Sequence, residues 1–240
     1  VSAPNRKLAP SWQGKPIAAV LFDLDGTLLD TLDDIASALN GALADLQRRT
    51  LSTGEVRRLI GRGVPSLVAR ALTYFGEPAA PQVQAAVVER FCVHYGRLHA
   101  RAEGTASVYP GVTAGLLALQ AAGLRLAVVT NKRRHFARGL LERLGLSETV
   151  QVVVGGDTCQ RRKPDPLPLR CACAALQIEP AQALMVGDSM IDVLAARAAG
   201  MSVICVPYGY NEGRGPESLA CDALIPTIAD LPALLISARR

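Results

Sequence analysis

The chain is 240 residues long, half of it hydrophobic and one-fifth charged, with a formal net charge of +5. That much apolar material builds a buried core and excludes disorder for all but the ends, while no apolar run approaches the roughly 18 residues of a membrane-spanning helix. The basic balance does not mark a nucleic-acid binder, because Lys and Arg are scattered and aromatics are only 4% of the chain, but it does favour a small anionic substrate by steering.

Residues 1–15 carry Pro4 and Pro10 and lack the apolar segment of a signal peptide, so they read as a flexible N-terminal tail that includes Trp12, and the expected location is cytoplasmic. Ile17 to Phe22 is an apolar run of the kind found in strands buried on both faces of a parallel sheet, and it ends in Asp23. Neighbouring strand residues face opposite ways in turn, so Asp25 must lie past the strand end, where Gly26 frees the backbone to turn.

From Thr31 to Leu124 no strand pattern is convincing, and the gap is too long for a simple crossover. Ser52 and Glu55 form a capping-box pattern. Val56, Leu59 and Ile60, then Leu67, Val68, Ala71 and Leu72, then Val83, Val87, Phe91, Tyr95 and Leu98 within Gln82 to Arg101, all recur at helical spacing. An all-helical subdomain, residues 33–103, is therefore inserted into a core made of 16–32 and 104–240.

Beyond the insertion, strands are expected at Leu124 to Thr130, Val150 to Val154, Ala183 to Val186 and Ser202 to Pro207, with helices at Val112 to Ala122, His135 to Leu144 and Pro166 to Ile178. This alternation predicts the α/β class: a doubly wound, Rossmann-like parallel sheet. The six cysteines form no CxxC pair and have no histidine at ligand spacing, so they read as reduced thiols. His94, His99 and His135 read as surface or structural residues.

Ligands of open parallel sheets bind outside the carboxyl ends of the strands. Those ends carry Asp23 and Asp25 in FDLDGTLLD, Thr130 and Asn131 in VVTNK, Lys163 in RRKPDP, and Asp188 in GDS, with Asp192 beyond. Each has an ordinary explanation as a turn or a cap, but none of those explanations predicts the others. Carboxylates gathered at one edge repel unless a cation sits among them, and hard oxygen donors imply Mg2+. The spacing of Asp188 and Asp192 places both on one face of a helix beginning near Ser189.

These four strings resemble the motifs of the haloacid dehalogenase superfamily of phosphohydrolases, over essentially Ile17 to Leu235. The resemblance implies a mobile helical cap hinged near Leu32 to Asp34 and Ala102 to Ser107, Gly104 included. It also implies that Asp23 attacks phosphorus to give an aspartyl-phosphate, while Asp25 protonates the leaving alcohol and then activates water. Magnesium would be held by the carboxylates of Asp23 and Asp188 and the backbone carbonyl of Asp25, with Asp192 behind them. Thr130, the Asn131 amide and Lys163 would bind the phosphate. Retention of Asp25 disfavours a dehalogenase, and retention of the whole set disfavours a non-catalytic binding or regulatory protein on the same fold.

RRLIGRGVPSLVARAL, VPYGYNEG, VVTNK and VVGGDT further resemble the phosphoglycolate phosphatase family, which implies hydrolysis of 2-phosphoglycolate. Phosphatases for N-acetylmuramic acid 6-phosphate share most core strings and are the alternative, although they depart at the IGxG segment present here as Ile60, Gly61 and Gly63. Asp165 stands where a His is common among close phosphoglycolate enzymes. The substrate carboxylate needs a cation, and the core motifs offer none beyond Lys163. Arg62 in the cap is therefore expected to bind it, with Gly61 and Gly63 allowing close backbone approach and Arg58 and Arg70 as rivals. Oligomeric state is left open.

Overall fold

A computed structural model describes residues 9–74, 76, 80–101 and 103–236. The chain opens with a short hairpin, β1 (Ser11–Trp12) and β2 (Lys15–Pro16), followed by β3 (Ala19–Phe22) and β4 (Leu29–Asp30). Four helices follow: α1 (Leu32–Ala44), α2 (Thr53–Arg57), α3 (Val64–Thr73) and α4 (Pro81–Ala100). The chain then returns through β5 (Ser107–Val108) to an alternating stretch of α5 (Val112–Ala121), β6 (Arg125–Val129), α6 (Arg134–Arg143), β7 (Val152–Val154), α7 (Leu167–Leu176), β8 (Ala183–Gly187), α8 (Met190–Ala199) and β9 (Ser202–Cys205). It closes with β10 (Ala223–Leu224) and α9 (Leu231–Ile236).

Six strands form one parallel sheet in the order β10-β9-β8-β3-β6-β7. β3 is central because its four residues, AVLF, are apolar at every position and fully buried. Val20 and Phe22 pack with Leu126, Val128, Leu184 and Val186 in one layer. Ala19 and Leu21 pack with Ala127, Val129 and Met185 in the other. Two-sided burial is what an all-parallel sheet requires, and a sheet covered on both faces is the doubly wound architecture expected.

α1 to α4 have a separate core built on Leu39, Leu43, Val56, Leu67, Val68 and Phe91. The capping box at α2 forms as the sequence pattern indicates: Ser52 Oγ accepts from Glu55 N at 3.3 Å, and Glu55 Oε2 accepts from Ser52 N at 2.7 Å. Val87, Phe91 and Tyr95 on α4 point inward at helical spacing.

Two short features depart from the sequence reading. The tail expected over 1–15 does not extend through residues 9–15, because β1 and β2 pair around Gln13 and Gly14, both at positive φ (48° and 79°), as a primed hairpin turn requires. Trp12 packs on the core from that hairpin. Residues 1–8, like Ala102 in the second expected hinge, lie outside the described residues. Within the stretch read as strand-free, β5 pairs antiparallel with β4 and draws together the two chain crossings between core and cap.

Asp34 holds the same junction. It is 2% exposed, and its carboxylate accepts from Thr105 N at 2.6 Å, Thr105 Oγ1 at 3.0 Å and Ala106 N at 3.3 Å, with His99 Nε2 at 3.8 Å. Asp34→Ala should therefore cost roughly 1–3 kcal/mol, because it strands buried amides, and should lower the melting temperature by about 2–12 °C for a chain of this size. Calorimetry checks this; an unchanged melting temperature would show that the clasp contributes nothing to stability.

Candidate active site

β3 and β8 are hydrogen-bonded neighbours with Phe22 opposite Val186, so Asp23 leaves one strand where Gly187 and Asp188 leave the other. The carboxylates of Asp23, Asp188 and Asp192 place one oxygen each within 4.8 Å of one another. Asp188 is 3% exposed and Asp192 fully buried. The turn after Asp23 must be tight: Gly26 has φ +86°, and a Cβ there would sit 2.6 Å from Asp188 Oδ2.

Asp192 converges on this group through a helix start. Ser189 caps α8, and Asp192 Oδ2 accepts from Ser189 N at 3.2 Å and Ser189 Oγ at 2.7 Å. The expectation that Asp188 and Asp192 share a helix face is corrected, because Asp188 precedes the cap and lies outside the helix. Lys163 Nζ bridges Asp192 Oδ1 at 2.7 Å and Asp23 Oδ1 at 2.9 Å. Asp192 thus spends both oxygens on Lys163 and Ser189.

Asp23 Oδ1 also accepts from Leu24 N at 2.7 Å, while Oδ2 has no hydrogen bond among the described residues. Asp188 accepts from Thr27 Oγ1 at 2.8 Å and Tyr210 N at 2.7 Å. Burial pushes the Asp23 carboxyl up to about 8, opposed by Lys163 and reinforced by repulsion from Asp192, Asp188 and Asp25. Burial, with Asp192, likewise raises Asp188 to about 6. Such a set accepts a divalent cation readily, and Asp23, whose Oδ2 has no hydrogen bond among the described residues, and Asp188, whose partners are all neutral donors, are better placed as its side-chain donors than Asp192, which is tied to the Lys163 ammonium.

Asp25 is held differently. Thr31 Oγ1 donates to its Oδ1 at 2.6 Å, and Lys132 Nζ reaches Oδ1 and Oδ2 at 2.9 and 3.0 Å. Lys132 is 8% exposed and lies over the Tyr95 ring, 4.7 Å from its centroid. Burial works against its charge, but Asp25 and Tyr95 outweigh burial and leave its pKa raised. The view that the core offers no cation besides Lys163 is therefore wrong. Lys132 follows Asn131 directly in VVTNK, and its position at the same strand end was the signal that sequence reasoning passed over.

Thr130 and Asn131 line the cleft as expected. Thr130 Oγ1 accepts from Lys132 N at 3.2 Å, which leaves its own proton to give, and the Asn131 amide has no partner among the described residues. The Asn131 side chain also links cap and core, since its Nδ2 donates to Gly61 O in the cap at 3.0 Å and to Lys163 O at 2.9 Å. Gly63 needs its φ of +82°, and a Cβ there would lie 3.0 Å from Asn131 O. Gly61 and Gly63 thus border the cleft, whereas Arg62 turns away, its side chain 51% exposed and paired with Glu212 at 2.9 Å. Arg70 joins the same carboxylate at 2.6 Å. His94 pairs with Asp45 at 2.8 Å in the cap, and all six cysteines are free thiols.

The pattern of the haloacid dehalogenase-like hydrolases matches residues 20–206. A protein named phosphoglycolate phosphatase from Cupriavidus necator is 50% identical over 93% of this chain and 95% of its own length. Another so named, from Nitrosospira multiformis, is 45% identical over 92% and 96%. Among solved structures, a predicted phosphoglycolate phosphatase from Haemophilus somnus superposes with a TM-score of 0.83 at 32% identity, covering 90% of this chain and 96% of that one. CbbY from Rhodobacter sphaeroides, in complex with phosphate, gives 0.77 at 29% identity over 90% and 96%.

The raised carboxyls make a pH prediction. Without metal, folded Asp23 keeps a proton that the unfolded chain, with the ordinary value of 3.8, has released. That contribution to stability is complete below about pH 4 and is lost as the pH rises toward about 8. A cation needs the ionised carboxylates, so its stabilisation grows over the same window. Millimolar magnesium should raise the melting temperature more at about pH 8 than at about pH 6. An equal gain at both, or none, would contradict a cation held by these residues.

Proposed function

The chain belongs to the haloacid dehalogenase-like hydrolases, and from that premise we propose that it is a magnesium-dependent phosphomonoesterase that hydrolyses 2-phosphoglycolate to glycolate and phosphate. The observation carrying this is the meeting of Asp23, Asp188 and Asp192 with Lys163 beside the donors of Thr130 and Asn131, at the carboxyl edge of one sheet. The relatives named phosphoglycolate phosphatase support the substrate.

Lys163 and Leu24 N fix one oxygen of Asp23, which sets the other in place to attack phosphorus. The P–O ester bond breaks as the Asp23–phosphorus bond forms, and Asp25, oriented by Thr31 and Lys132, gives its proton to the departing oxygen. Asp25 then takes a proton from the water that cleaves the aspartyl-phosphate. Asp23 and Asp188, with the Asp25 carbonyl, would hold a divalent cation, which would neutralise charge so that carboxylate and phosphate can meet. The Thr130 hydroxyl, the Asn131 amide and Lys163 stabilise the phosphoryl oxygens.

The cleft holds about 50 Å³ of space. Cap and core meet across it, with Asn131 Nδ2 bonded to Gly61 O, so substrate is expected to enter as the cap moves aside. The cap wall is apolar, formed by Ile35, Ile60, Val64, Leu67 and Phe91, with Phe136 of α6 beside it. Such a wall leaves the hydroxyls of a sugar phosphate unpaired, which favours a small substrate over N-acetylmuramic acid 6-phosphate.

Asp23→Asn should retain the wild-type melting profile and lose on the order of 10³-fold or more in kcat. Across a panel of phosphate esters, kcat/KM should be highest for 2-phosphoglycolate. Residual activity near wild type would overturn the nucleophile assignment, and a sugar phosphate ranking well above 2-phosphoglycolate would overturn the substrate.

A further inference from the structure

We propose that Lys132, with the hydroxyl of Tyr95, forms the subsite that binds the carboxylate of the substrate and so sets specificity for a phosphorylated 2-hydroxy acid. The inference rests on the reading of 2-phosphoglycolate as substrate, and it moves the recognition of the acid from the exposed cap loop to the floor of the cleft.

Distances carry the argument. As leaving-group acid, Asp25 must come within about 2.5–3.0 Å of the ester oxygen. The carboxylate of 2-phosphoglycolate is separated from that oxygen by a single methylene, which puts its own oxygens about 3 Å away. Lys132 Nζ lies 2.9 and 3.0 Å from the two oxygens of Asp25. An ammonium group touching the acid is therefore within one contact of the carboxylate once the ester oxygen docks. No longer substrate arm and no chain movement in the core is needed.

The donor inventory points the same way. A lysine ammonium has three N–H donors, and the hydrogen bonds of Lys132 to side chains other than Asp25 include none of ordinary geometry. Tyr95 is 1% exposed, lines the cleft, and its Oη makes no hydrogen bond of ordinary geometry among the described residues, standing beside the Lys132 ammonium. A buried hydroxyl left so is costly and is normally satisfied; a carboxylate, an acceptor with two oxygens, satisfies it and the ammonium together. The rival cations are committed elsewhere. Arg62 and Arg70 share Glu212, and Lys163 is clamped between Asp23 and Asp192. Lys132 is the one cation among the described residues lining the cleft. The apolar cap wall above it keeps water away, so a charge pair formed there is strong.

The test compares 2-phosphoglycolate with 2-hydroxyethyl phosphate, which replaces the carboxylate by a neutral CH2OH, in the magnesium-loaded wild type, Lys132→Met, Tyr95→Phe and Arg62→Ala. Wild type should prefer 2-phosphoglycolate in kcat/KM by on the order of 10–100-fold. Lys132→Met should bring the ratio to within about threefold of unity, and Tyr95→Phe should narrow it by several-fold. Arg62→Ala should leave it intact. Lys132 also touches Asp25, so its loss lowers turnover of both esters; the ratio, not the rate, is the readout. Calorimetric binding of both compounds to Asp23→Asn, with and without Lys132→Met, gives the same ratio without turnover. A wild-type enzyme indifferent to the carboxylate defeats the substrate reading itself. A wild-type preference that survives Lys132→Met, or that collapses in Arg62→Ala, leaves the substrate standing and overturns the subsite.

Discussion

Like charges crowded at one sheet edge are the constraint from which the rest of this molecule follows. The register of β3 against β8 brings Asp23 and Asp188 out side by side, and the cap of α8 turns Asp192 toward them. Three carboxylates within 4.8 Å cannot all be ionised and buried without compensation. Lys163 supplies part of it by bridging Asp23 and Asp192, and the loop that carries it is tied by Asn131 through the Lys163 carbonyl. The remaining negative charge suits the site to a divalent cation, which in the proposed reaction would in turn draw in a phosphate dianion.

The cap completes the site rather than merely covering it. Tyr210, from the loop after β9, packs into the cap core while its amide holds Asp188, so metal-site geometry and cap position share one residue. Glu212 on the same loop takes Arg62 and Arg70 from the cap, Arg57 donates to Gly209 O, and Asn131 reaches Gly61 O. Each of these is a polar contact at a rim and modest in energy, weak enough to give way if the cap opens for substrate as the proposed reaction requires. Asp34 and the β4–β5 pair hold the two crossings together.

Much of the core was readable from the chain alone. Uninterrupted apolar runs identify strands buried on both faces, and in a parallel sheet a polar residue at the end of such a run is already placed. Asp23, Thr130, Asn131 and Asp188 could be assigned to one edge on that ground. Two-residue strands such as β1, β2, β4 and β5 carry no periodicity to detect; only the geometry of turn and packing makes them. Side-chain direction is the other limit. Arg62 sits in a segment that faces the cleft, yet its stem leads to Glu212, 150 residues away in sequence. Beyond its place at a strand end, nothing in the sequence pattern sets Lys132 apart from other lysines, and its burial arises because Tyr95 from the cap and Asp25 from the first loop close over it. The helical spacing that marked Tyr95 as a packing residue was correct, but spacing says nothing of the hydroxyl at its tip.

The central claim is that Asp23 takes the phosphoryl group. Beryllium fluoride mimics that group on a carboxylate, so the most direct measurement is a crystal structure of the protein grown with magnesium and beryllium fluoride. The account predicts a tetrahedral adduct on Asp23 Oδ2, a cation against Asp23 and Asp188, and fluorides contacted by Thr130, the Asn131 amide and Lys163. An adduct on another residue, or fluoride bound with Asp23 unmodified, would contradict it.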